Sequence, residues 1–296
     1  MAFAMITRAR CLLLIAGLFA VSVFLPRSFA SERQSVSIVL IPFADASVPM
    51  RTTVYRPPGN APFPLVVISH GSSSSARLRA QQDVSHFDDM AQWFVRRGYV
   101  VSVPQRPGHG KTGGDWLEAA GGCADPNYER AGVAIAASIR AAIEYMVRQP
   151  FVRGDGVILI GHSAGAWGAL ALASQNPKAV KAVIDFAGGL GGRSYSEPNR
   201  NCAPERLIKT VEKFGRTARI PTLWIYGQND TYFGPELSGA MATAFRNAGG
   251  DVEYRLLPAT GREGHFLIYE KSAAAPWAGL IENFLRRHGR GPSSAQ

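Results

Sequence analysis

Short apolar runs alternate with helical stretches along most of this chain, and this alternation limits the folds open to it. The predicted strands are "SVSIVL" (35–40), "RTTVYRP" (51–57), "PLVVISHG" (64–71), "YVVSVPQ" (99–105), "GVILIG" (156–161), "AVKAVIDFAGG" (179–189), "PTLWIYG" (221–227) and "DVEYRLLP" (251–258). The predicted helices cover 88–98, 130–149, 164–175, 236–248 and 273–288. Continuous apolar strands are typical of a sheet that is buried on both faces. The chain is therefore expected to form an α/β fold, with a mostly parallel central sheet, helices on both faces and small loop excursions over its site.

The carboxyl ends of parallel strands are where such a fold builds its active site, because their loops emerge at one edge of the sheet. A loop at 106–128 and a Gly- and Ser-rich excursion at 190–206 follow two of the predicted strands and are expected to roof that edge. The first two predicted strands are instead expected to form an antiparallel pair.

The first 30 residues have the pattern of a secretory signal peptide. Arg8 and Arg10 form a basic start, an apolar run follows, and "RSFA" ends in the small residue Ala30. The alternative is a membrane anchor, but the apolar run has only about 15 residues and a spanning helix needs roughly 20. We expect cleavage after Ala30, export to the periplasm or the medium, no membrane insertion afterwards, and a single α/β domain over 31–296.

The chain is basic, with a formal net charge of +10, but its positive charges are scattered. The densest cluster, "RRHGR" (286–290), lacks the interleaved aromatic residues of a single-strand binder. The charge is therefore interpreted as a solvated surface, and nucleic acid is not expected as a partner.

Two cysteines, Cys123 and Cys202, remain after the predicted cleavage. In an oxidising compartment an even pair favours a disulfide, and closing a loop of about 80 residues stabilises the fold by roughly 4 kcal/mol. The alternative is two free, buried thiols. Neither cysteine belongs to a paired C-x-x-C or has a histidine nearby, so no metal site is predicted.

The segment "VILIGHSAGAWGALALA" places Ser163 between Gly161 and Gly165, directly after a strand and at the start of a helix. That is the context of a G-x-S-x-G nucleophile elbow, in which the glycines prevent crowding in a strained turn. The alternative, a serine that only caps a helix, is common when the motif stands alone. The strand–turn–helix setting favours a nucleophile.

A nucleophilic serine requires a histidine as its base. The chain contains His70, His86, His109, His162, His265 and His288. His265, in "ATGREGHFL", follows the last predicted strand and is the candidate base. His288 lies in a basic terminal helix, His109 precedes the serine in the chain, and the side chain of His162 is expected to leave the elbow in another direction.

The acid is expected between the serine and the histidine in the chain. Asp230 follows the strand that ends near Gly227 and is the candidate, with Asp185 as its rival. Glu263 lies only two residues from His265 and is expected to orient its ring poorly.

An oxyanion site needs two backbone N–H donors. One is expected from Ala164, the residue after the nucleophile. The other is expected from "HGSSSS", with Ser72 as the first candidate and Ser73 as the next. A flexible serine linker is the alternative, but the segment directly follows a buried strand.

The motifs "SHGSSSS", "PQRPGHGKTGG", "GHSAGAWG", "YGQNDTYF" and "EGHF" resemble those of the α/β-hydrolase superfamily, and in particular its dienelactone-hydrolase-like secreted esterases. The resemblance runs over nearly the whole mature chain and implies the α/β-hydrolase fold. Dienelactone hydrolases proper carry a nucleophilic cysteine, whereas this chain carries Ser163. That difference points to ordinary carboxylic esters rather than lactones.

The leading hypothesis is therefore a serine esterase that acts on a small-molecule ester through an acyl-enzyme, with no cofactor. A peptidase or amidase of the same fold is the alternative, although no propeller-sized partner domain is evident. A non-enzymatic secreted binding module is a third, but it would be expected to lack a member of the triad.

Overall fold

An eight-stranded sheet organises the described residues in the computed structural model. Those residues are Met1 and 34–289, except 61, 260 and 272–274. The predicted signal peptide and its cleavage after Ala30 lie outside the described residues. The strands are β1 (Ser35–Ile41), β2 (Met50–Arg56), β3 (Phe63–Ser69), β4 (Val100–Pro104), β5 (Val152–His162), β6 (Val180–Phe186), β7 (Thr222–Gly227) and β8 (Val252–Leu257).

The strand order is β1-β2-β4-β3-β5-β6-β7-β8. The pairs β1–β2 and β2–β4 are antiparallel, and every other neighbouring pair is parallel. The mostly parallel sheet and its antiparallel opening pair are thus confirmed.

Seven α-helices are formed by the described residues. They are α1 (Ala76–Ala80), α2 (Asp88–Val95), α3 (Tyr128–Met146), α4 (Ala164–Ala173), α5 (Pro204–Thr217), α6 (Pro235–Asn247) and α7 (Trp277–Arg287). The helices of this set are too short or too polar to cross a membrane. The five predicted helices correspond to α2, α3, α4, α6 and α7.

Helix α5 was not among the predicted elements. Its start falls at the end of the Gly- and Ser-rich excursion expected over 190–206, and most of the helix lies beyond it. The helix buries Leu207, Val211 and Phe214, which recur at helical spacing on one side. That periodicity was present in the sequence and could have identified the helix.

Alternate side chains of the central strands enter two separate layers of the core. In β3, Leu65 and Val67 pack in one layer, whereas Val66 and Ile68 pack in the other. Helices α3, α4, α5 and α6 cover the first layer, and α2 and α7 cover the second. Because each fully buried aliphatic side chain contributes about 1.5–3 kcal/mol, this double cover explains why the strands are apolar without alternation.

Three strands of the parallel part end at the same edge of the sheet, with β6 between the first of them and the other two. β5 ends at His162, β7 ends at Gly227 and β8 ends at Leu257. The candidate nucleophile, acid and base follow these three ends in that order, so the topology brings distant parts of the chain to one edge of the sheet.

Candidate active site

Ser163 occupies a sharp turn between β5 and α4, with φ 53° and ψ −120°. This backbone conformation is strained for a residue with a side chain, at a cost of about 1–3 kcal/mol. The crowding expected at the flanking glycines is present. A Cβ on Gly161 would lie 2.3 Å from Cα of Ala166, and one on Gly165 would lie 2.1 Å from the carbonyl oxygen of Ser69. The sequence around the serine therefore permits a turn that lifts its side chain out of the sheet.

His265 and Asp230 are joined by a hydrogen bond in a buried environment. Nδ1 of His265 lies 3.1 Å from Oδ2 of Asp230, and both side chains are buried. The other carboxylate oxygen, Oδ1, accepts hydrogen bonds from the backbone N–H groups of Tyr232 at 2.7 Å and Phe233 at 2.9 Å. These donors fix the carboxylate, and the carboxylate in turn fixes the orientation of the imidazole ring.

Asp185, the rival acid, lies apart from this pair. Its Oδ1 accepts a hydrogen bond from the N–H of Gly188 at 2.7 Å, and its Oδ2 has no partner among the described residues. Burial raises the pKa of Asp185 to about 8, so its carboxyl holds a proton at neutral pH. Of the two acid candidates, the fold brings only Asp230 to His265.

Glu263 supports the histidine through the backbone rather than through the ring. Its Oε1 accepts hydrogen bonds from the N–H of His265 at 3.1 Å and the N–H of Thr231 at 2.9 Å. Arg193 lies 3.5 Å from Oε2 of the same carboxylate. Glu263 thereby ties the loop after β8 to the loop after β7, a role that its place in the sequence did not suggest.

Aromatic rings surround the imidazole of His265. The ring of Tyr232 stacks on it, with centroids 4.0 Å apart and planes 19° apart. The rings of Phe233 and Phe266 lie 5.6 Å and 5.3 Å away. These side chains restrict the access of water to the histidine.

His162 links the elbow to the histidine loop. Its Nε2 lies 2.9 Å from the carbonyl oxygen of His265, and its Nδ1 lies 3.1 Å from the hydroxyl of Tyr269. Burial and the nearby His265 lower the pKa of His162 well below its usual range, so the ring is neutral. A neutral ring that donates to a carbonyl must accept at Nδ1, which Tyr269 satisfies.

No hydrogen bond joins Oγ of Ser163 to the imidazole of His265 among the described residues, but the residue before the serine contacts that imidazole. The ring of His162, which directly precedes the serine, lies 4.9 Å from the ring of His265. Catalytic hydrogen bonds are often long in the absence of substrate and tighten when it binds.

The segment that follows β3 lies against the nucleophile. A Cβ on Gly71 would lie 3.2 Å from Cβ of Ser163, so only glycine fits there without displacement. Ser72, the next residue, therefore lies close to the nucleophile elbow. Ala164 directly follows Ser163 at the start of α4. Among the described residues, neither of their backbone N–H groups donates a hydrogen bond to the protein.

Behind this segment lies a buried polar cluster that sequence reasoning missed. Arg106 and Glu118 form an ion pair with Nε and Oε2 2.6 Å apart. His109 lies 3.4 Å from Oε1 of Glu118 and 2.8 Å from Oγ of Ser72. Burial lowers the pKa of His109 to about 4, so this histidine is neutral. The motif "PQRPGHGKTGG" contained the signal, but its letters do not show which carbonyls the arginine contacts.

Cys123 and Cys202 form a disulfide that joins the two roof segments, the loop at 106–128 and the excursion at 190–206. Their Cα atoms are 4.9 Å apart, inside the roughly 4.4–6.8 Å range that a disulfide requires. The hydroxyl of Tyr128 donates a hydrogen bond to the carbonyl of Cys202 and holds the same junction. The two segments are therefore connected covalently on the catalytic side of the sheet.

A cleft of about 630 Å³ lies apart from these residues, between the start of α3 and helix α5. Four of its charged side chains form two ion pairs, Lys213 with Glu129 at 2.6 Å and Arg206 with Asp125 at 2.5 Å. The cleft contains none of the candidate catalytic groups. Within the described ranges, no cluster of three His, Cys, Asp or Glu side chains has a geometry suited to a metal ion.

Comparison with protein families matches residues 50–276 to the dienelactone hydrolase family. Comparison with curated protein sequences gives no significant match. The family match spans all three candidate catalytic residues.

Solved structures with the same fold include esterases and peptidases. The chain is similar to an esterase of Pyrococcus furiosus, with a TM-score of 0.61 and 17% identity over 86% of this chain and 93% of that chain. It is also similar to an acylaminoacyl peptidase of Pyrococcus horikoshii, with a TM-score of 0.60 and 14% identity over 89% of this chain but only 43% of that chain. A puromycin-hydrolyzing peptidase of Mycobacterium tuberculosis gives a TM-score of 0.58 and 17% identity over 90% of this chain and 41% of that chain. At these identities the likeness is one of fold.

Proposed function

This chain belongs to the dienelactone hydrolase family, and we propose that it is a serine hydrolase that cleaves carboxylic esters through an acyl-enzyme on Ser163. The observation that carries the proposal is the buried hydrogen bond of 3.1 Å between His265 and Asp230, next to a serine in a strained elbow. These three groups come from loops after three strands of one parallel sheet. The three residues have the types and the chain order of a serine, acid and histidine triad.

In the first half of the reaction, Nε2 of His265 takes the proton from Oγ of Ser163 as the oxygen attacks the ester carbonyl. Asp230 accepts the Nδ1–H of the ring, which keeps Nε2 unprotonated beforehand and stabilises the imidazolium that forms. The tetrahedral oxyanion accepts hydrogen bonds from the N–H groups of Ala164 and Ser72. His265 then gives the proton to the leaving alcohol as the carbon–oxygen bond breaks.

In the second half, water attacks the acyl-enzyme while His265 takes one of its protons. The second tetrahedral intermediate collapses, the bond from the carbonyl carbon to Oγ of Ser163 breaks, and the proton returns to the serine. The products are one carboxylic acid and one alcohol. His265 carries every proton that is transferred in these steps, and the backbone N–H groups only donate hydrogen bonds to the oxyanion.

Esters are favoured over lactones because the family's cysteine nucleophile is replaced by Ser163 in this chain. They are favoured over peptides because the solved structures that this chain matches over most of both chains include an esterase. A small-molecule ester is therefore the proposed substrate, with the roof segments at 106–128 and 190–206 next to it.

Export is part of the proposal. The basic start, apolar run and small residue at Ala30 support a signal peptide, and the Cys123–Cys202 bond supports an oxidising compartment. The mature protein then begins near residue 31.

A substrate panel tests this function directly. The mature protein is assayed with p-nitrophenyl esters of increasing acyl length, with peptide p-nitroanilides and with a lactone. We expect the esters to be hydrolysed fastest, and a serine-directed phosphonate to stop their hydrolysis. Faster cleavage of the anilides would make the protein a peptidase, and no hydrolysis of any substrate would favour the binding module.

A further inference from the structure

The segment from His70 to Ser74, here called the 70–74 loop, has carbonyl groups that point to buried donors. Arg106 donates to the carbonyl oxygens of His70 at 2.6 Å and Gly71 at 3.5 Å. Arg79 donates to the carbonyl oxygens of Ser73 and Ser74 at 2.8 Å and 2.9 Å. Two buried arginines therefore hold the carbonyl groups of a loop whose Gly71 lies next to Ser163.

Arg106 uses all of its donors. Nε and Nη2 bind the two oxygens of Glu118 at 2.6 Å and 3.0 Å, which is the paired geometry that a guanidinium favours. Nη1 binds Oγ of Ser69 at 2.9 Å and the His70 carbonyl, and the remaining N–H reaches Gly71. Because a lysine has one ammonium with three donors, it cannot bridge the carboxylate and the loop in this way.

Glu118 compensates the charge of the buried Arg106 guanidinium. The arginine is 1% exposed, and a buried charge without a partner is strongly destabilising. Burial alone would raise the pKa of Glu118, but the charge and hydrogen bonds of Arg106 outweigh it and hold that pKa below its usual value. The pair is therefore ionised inside the protein, next to the loop.

The carbonyl of Gly71 has two further donors. The backbone N–H of Arg106 donates to Nε2 of His70 at 3.0 Å, so the proton of this neutral ring is on Nδ1. That Nδ1–H lies 2.6 Å from the Gly71 oxygen, and Nε2 of Gln82 donates to the same oxygen at 3.0 Å. Arg106 thus acts on Gly71 directly, and also through the histidine that its backbone orients.

A planar trans peptide directs its C=O and the following N–H to opposite sides. Fixing the Gly71 carbonyl on the side of Arg106 and Gln82 therefore turns the N–H of Ser72 away from them. The carbonyl of Ser72, in contrast, accepts no hydrogen bond among the described residues, so the peptide that carries the N–H of Ser73 has no such constraint. This difference separates the two candidate oxyanion donors.

We propose that Arg106, held by Glu118, is the positioning residue of the oxyanion site: it fixes the Gly71–Ser72 peptide so that the N–H of Ser72, rather than that of Ser73, faces the oxyanion. The inference rests on the proposed serine hydrolase function. It adds a role for two buried residues that do not touch the substrate. A preorganised donor matters because it stabilises the transition state without reorganisation during the reaction.

Arg106→Lys, measured with the best p-nitrophenyl ester, tests the proposal. We expect kcat to fall by roughly 10- to 100-fold with KM within about two-fold, because the donor serves the transition state and not the bound ester. The inhibition constant of a trifluoromethyl ketone, which binds the serine as an oxyanion, should rise by the same factor. A folded variant with unchanged kcat and unchanged inhibition, or with a change in KM alone, overturns the proposal.

Two further variants in the same region keep the test decisive. If Arg106→Lys does not fold, Gln82→Met removes a donor to the Gly71 carbonyl from a half-buried position, and it should lower kcat several-fold with KM unchanged. No change in kcat for Gln82→Met also overturns the proposal. Arg79→Lys should lower kcat less than Arg106→Lys does. An equal loss of kcat would show that catalysis depends on the position of the whole loop and not specifically on the Gly71–Ser72 peptide.

Arg97→Lys is the matched control, because Arg97 packs over the ring of Trp93 at 3.7 Å and makes no contact with the loop among the described residues. It should keep the wild-type kcat. Assays of the wild-type protein distinguish a failure of the proposed function from a failure of the inference about Arg106. If it hydrolyses no ester and takes up no phosphonate, the proposed function is wrong. If it does both and Arg106→Lys behaves like Arg97→Lys, only the inference about Arg106 is wrong.

Discussion

The phenol ring of Tyr232 lies flat against the imidazole of His265, with centroids 4.0 Å apart and planes 19° apart. The backbone N–H of the same tyrosine donates to Oδ1 of Asp230 at 2.7 Å. One residue therefore contacts both the base and the acid, through its ring and its main chain respectively. Substituting the side chain separates these two contacts, because the backbone N–H remains.

Tyr232→Leu should lower kcat for the best ester by roughly five-fold, because the imidazolium formed in the transition state loses an aromatic face that contributes about 1 kcal/mol. Tyr232→Phe keeps the ring and should stay within about two-fold of the wild-type kcat. Steady-state kinetics of the two variants measure this difference in kcat. Equal rates for the leucine and phenylalanine variants would show that the stacking does not contribute to catalysis.

Ser163→Ala should abolish ester hydrolysis, with a loss of about 10⁴-fold or more, because the covalent step has no other nucleophile. The fold should remain intact, since alanine fills the same turn. Circular dichroism and thermal unfolding provide the control for folding. A serine-directed phosphonate should label Ser163 alone in the wild-type protein, and substantial turnover by the alanine variant would contradict the mechanism.

Asp230→Asn should lower kcat by roughly 10³- to 10⁴-fold with a much smaller effect on KM, because the imidazole loses its orienting charge. Asp185→Asn is the matched comparison, since the same substitution is made at a buried carboxyl that does not contact His265. We expect it to keep kcat near the wild-type value. If Asp185→Asn proves the more damaging change, the assignment of the acid is wrong.

Asp185 should also make stability depend on pH. Its pKa is raised from 3.8 to about 8 by burial, so the folded state holds a proton that the unfolded chain releases. The free energy of unfolding should therefore fall as the pH rises from about 4 to about 8.

Asp185→Asn removes this titration, because an amide does not ionise. The amide oxygen can still accept the hydrogen bond from the N–H of Gly188. Thermal unfolding of the variant and the wild type at about pH 5 and about pH 9 measures the effect. The variant should gain a few degrees in Tm relative to the wild type at the higher pH compared with the lower one. A difference in Tm that is the same at both pH values would exclude a titrating Asp185.

Reduction of the Cys123–Cys202 bond should lower thermal stability. The bond closes a loop with a sequence separation of 79, for which chain entropy predicts a contribution of roughly 4 kcal/mol. The exported protein should have an intact mass two hydrogens below that of the reduced form, and the double variant Cys123→Ser, Cys202→Ser should not respond to reductant. Two alkylatable thiols in the native, non-reduced protein would contradict the bond.

The sequence by itself was sufficient for the order and type of the main elements, because burial on both faces of a parallel sheet imposes a continuous apolar run on each strand. It was also sufficient for the elbow at Ser163, since the crowding at Gly161 and Gly165 arises within a few residues of the turn. Helix α5 is not among the predicted elements, although Leu207, Val211 and Phe214 recur at helical spacing in the sequence.

The choice among residues far apart in the chain was decided only by the tertiary structure. Asp230 and Asp185 both follow or end a strand, and only the packing of the strand-end loops brings one of them to within 3.1 Å of His265. The contacts of Arg106 with the 70–74 loop likewise join residues 35 and 36 positions apart. Local sequence patterns indicate how a segment is buried. Hydrogen bonds between loops depend instead on where the sheet places the strand ends from which those loops leave. The partners of these side chains therefore could not be predicted from the neighbouring residues in the sequence.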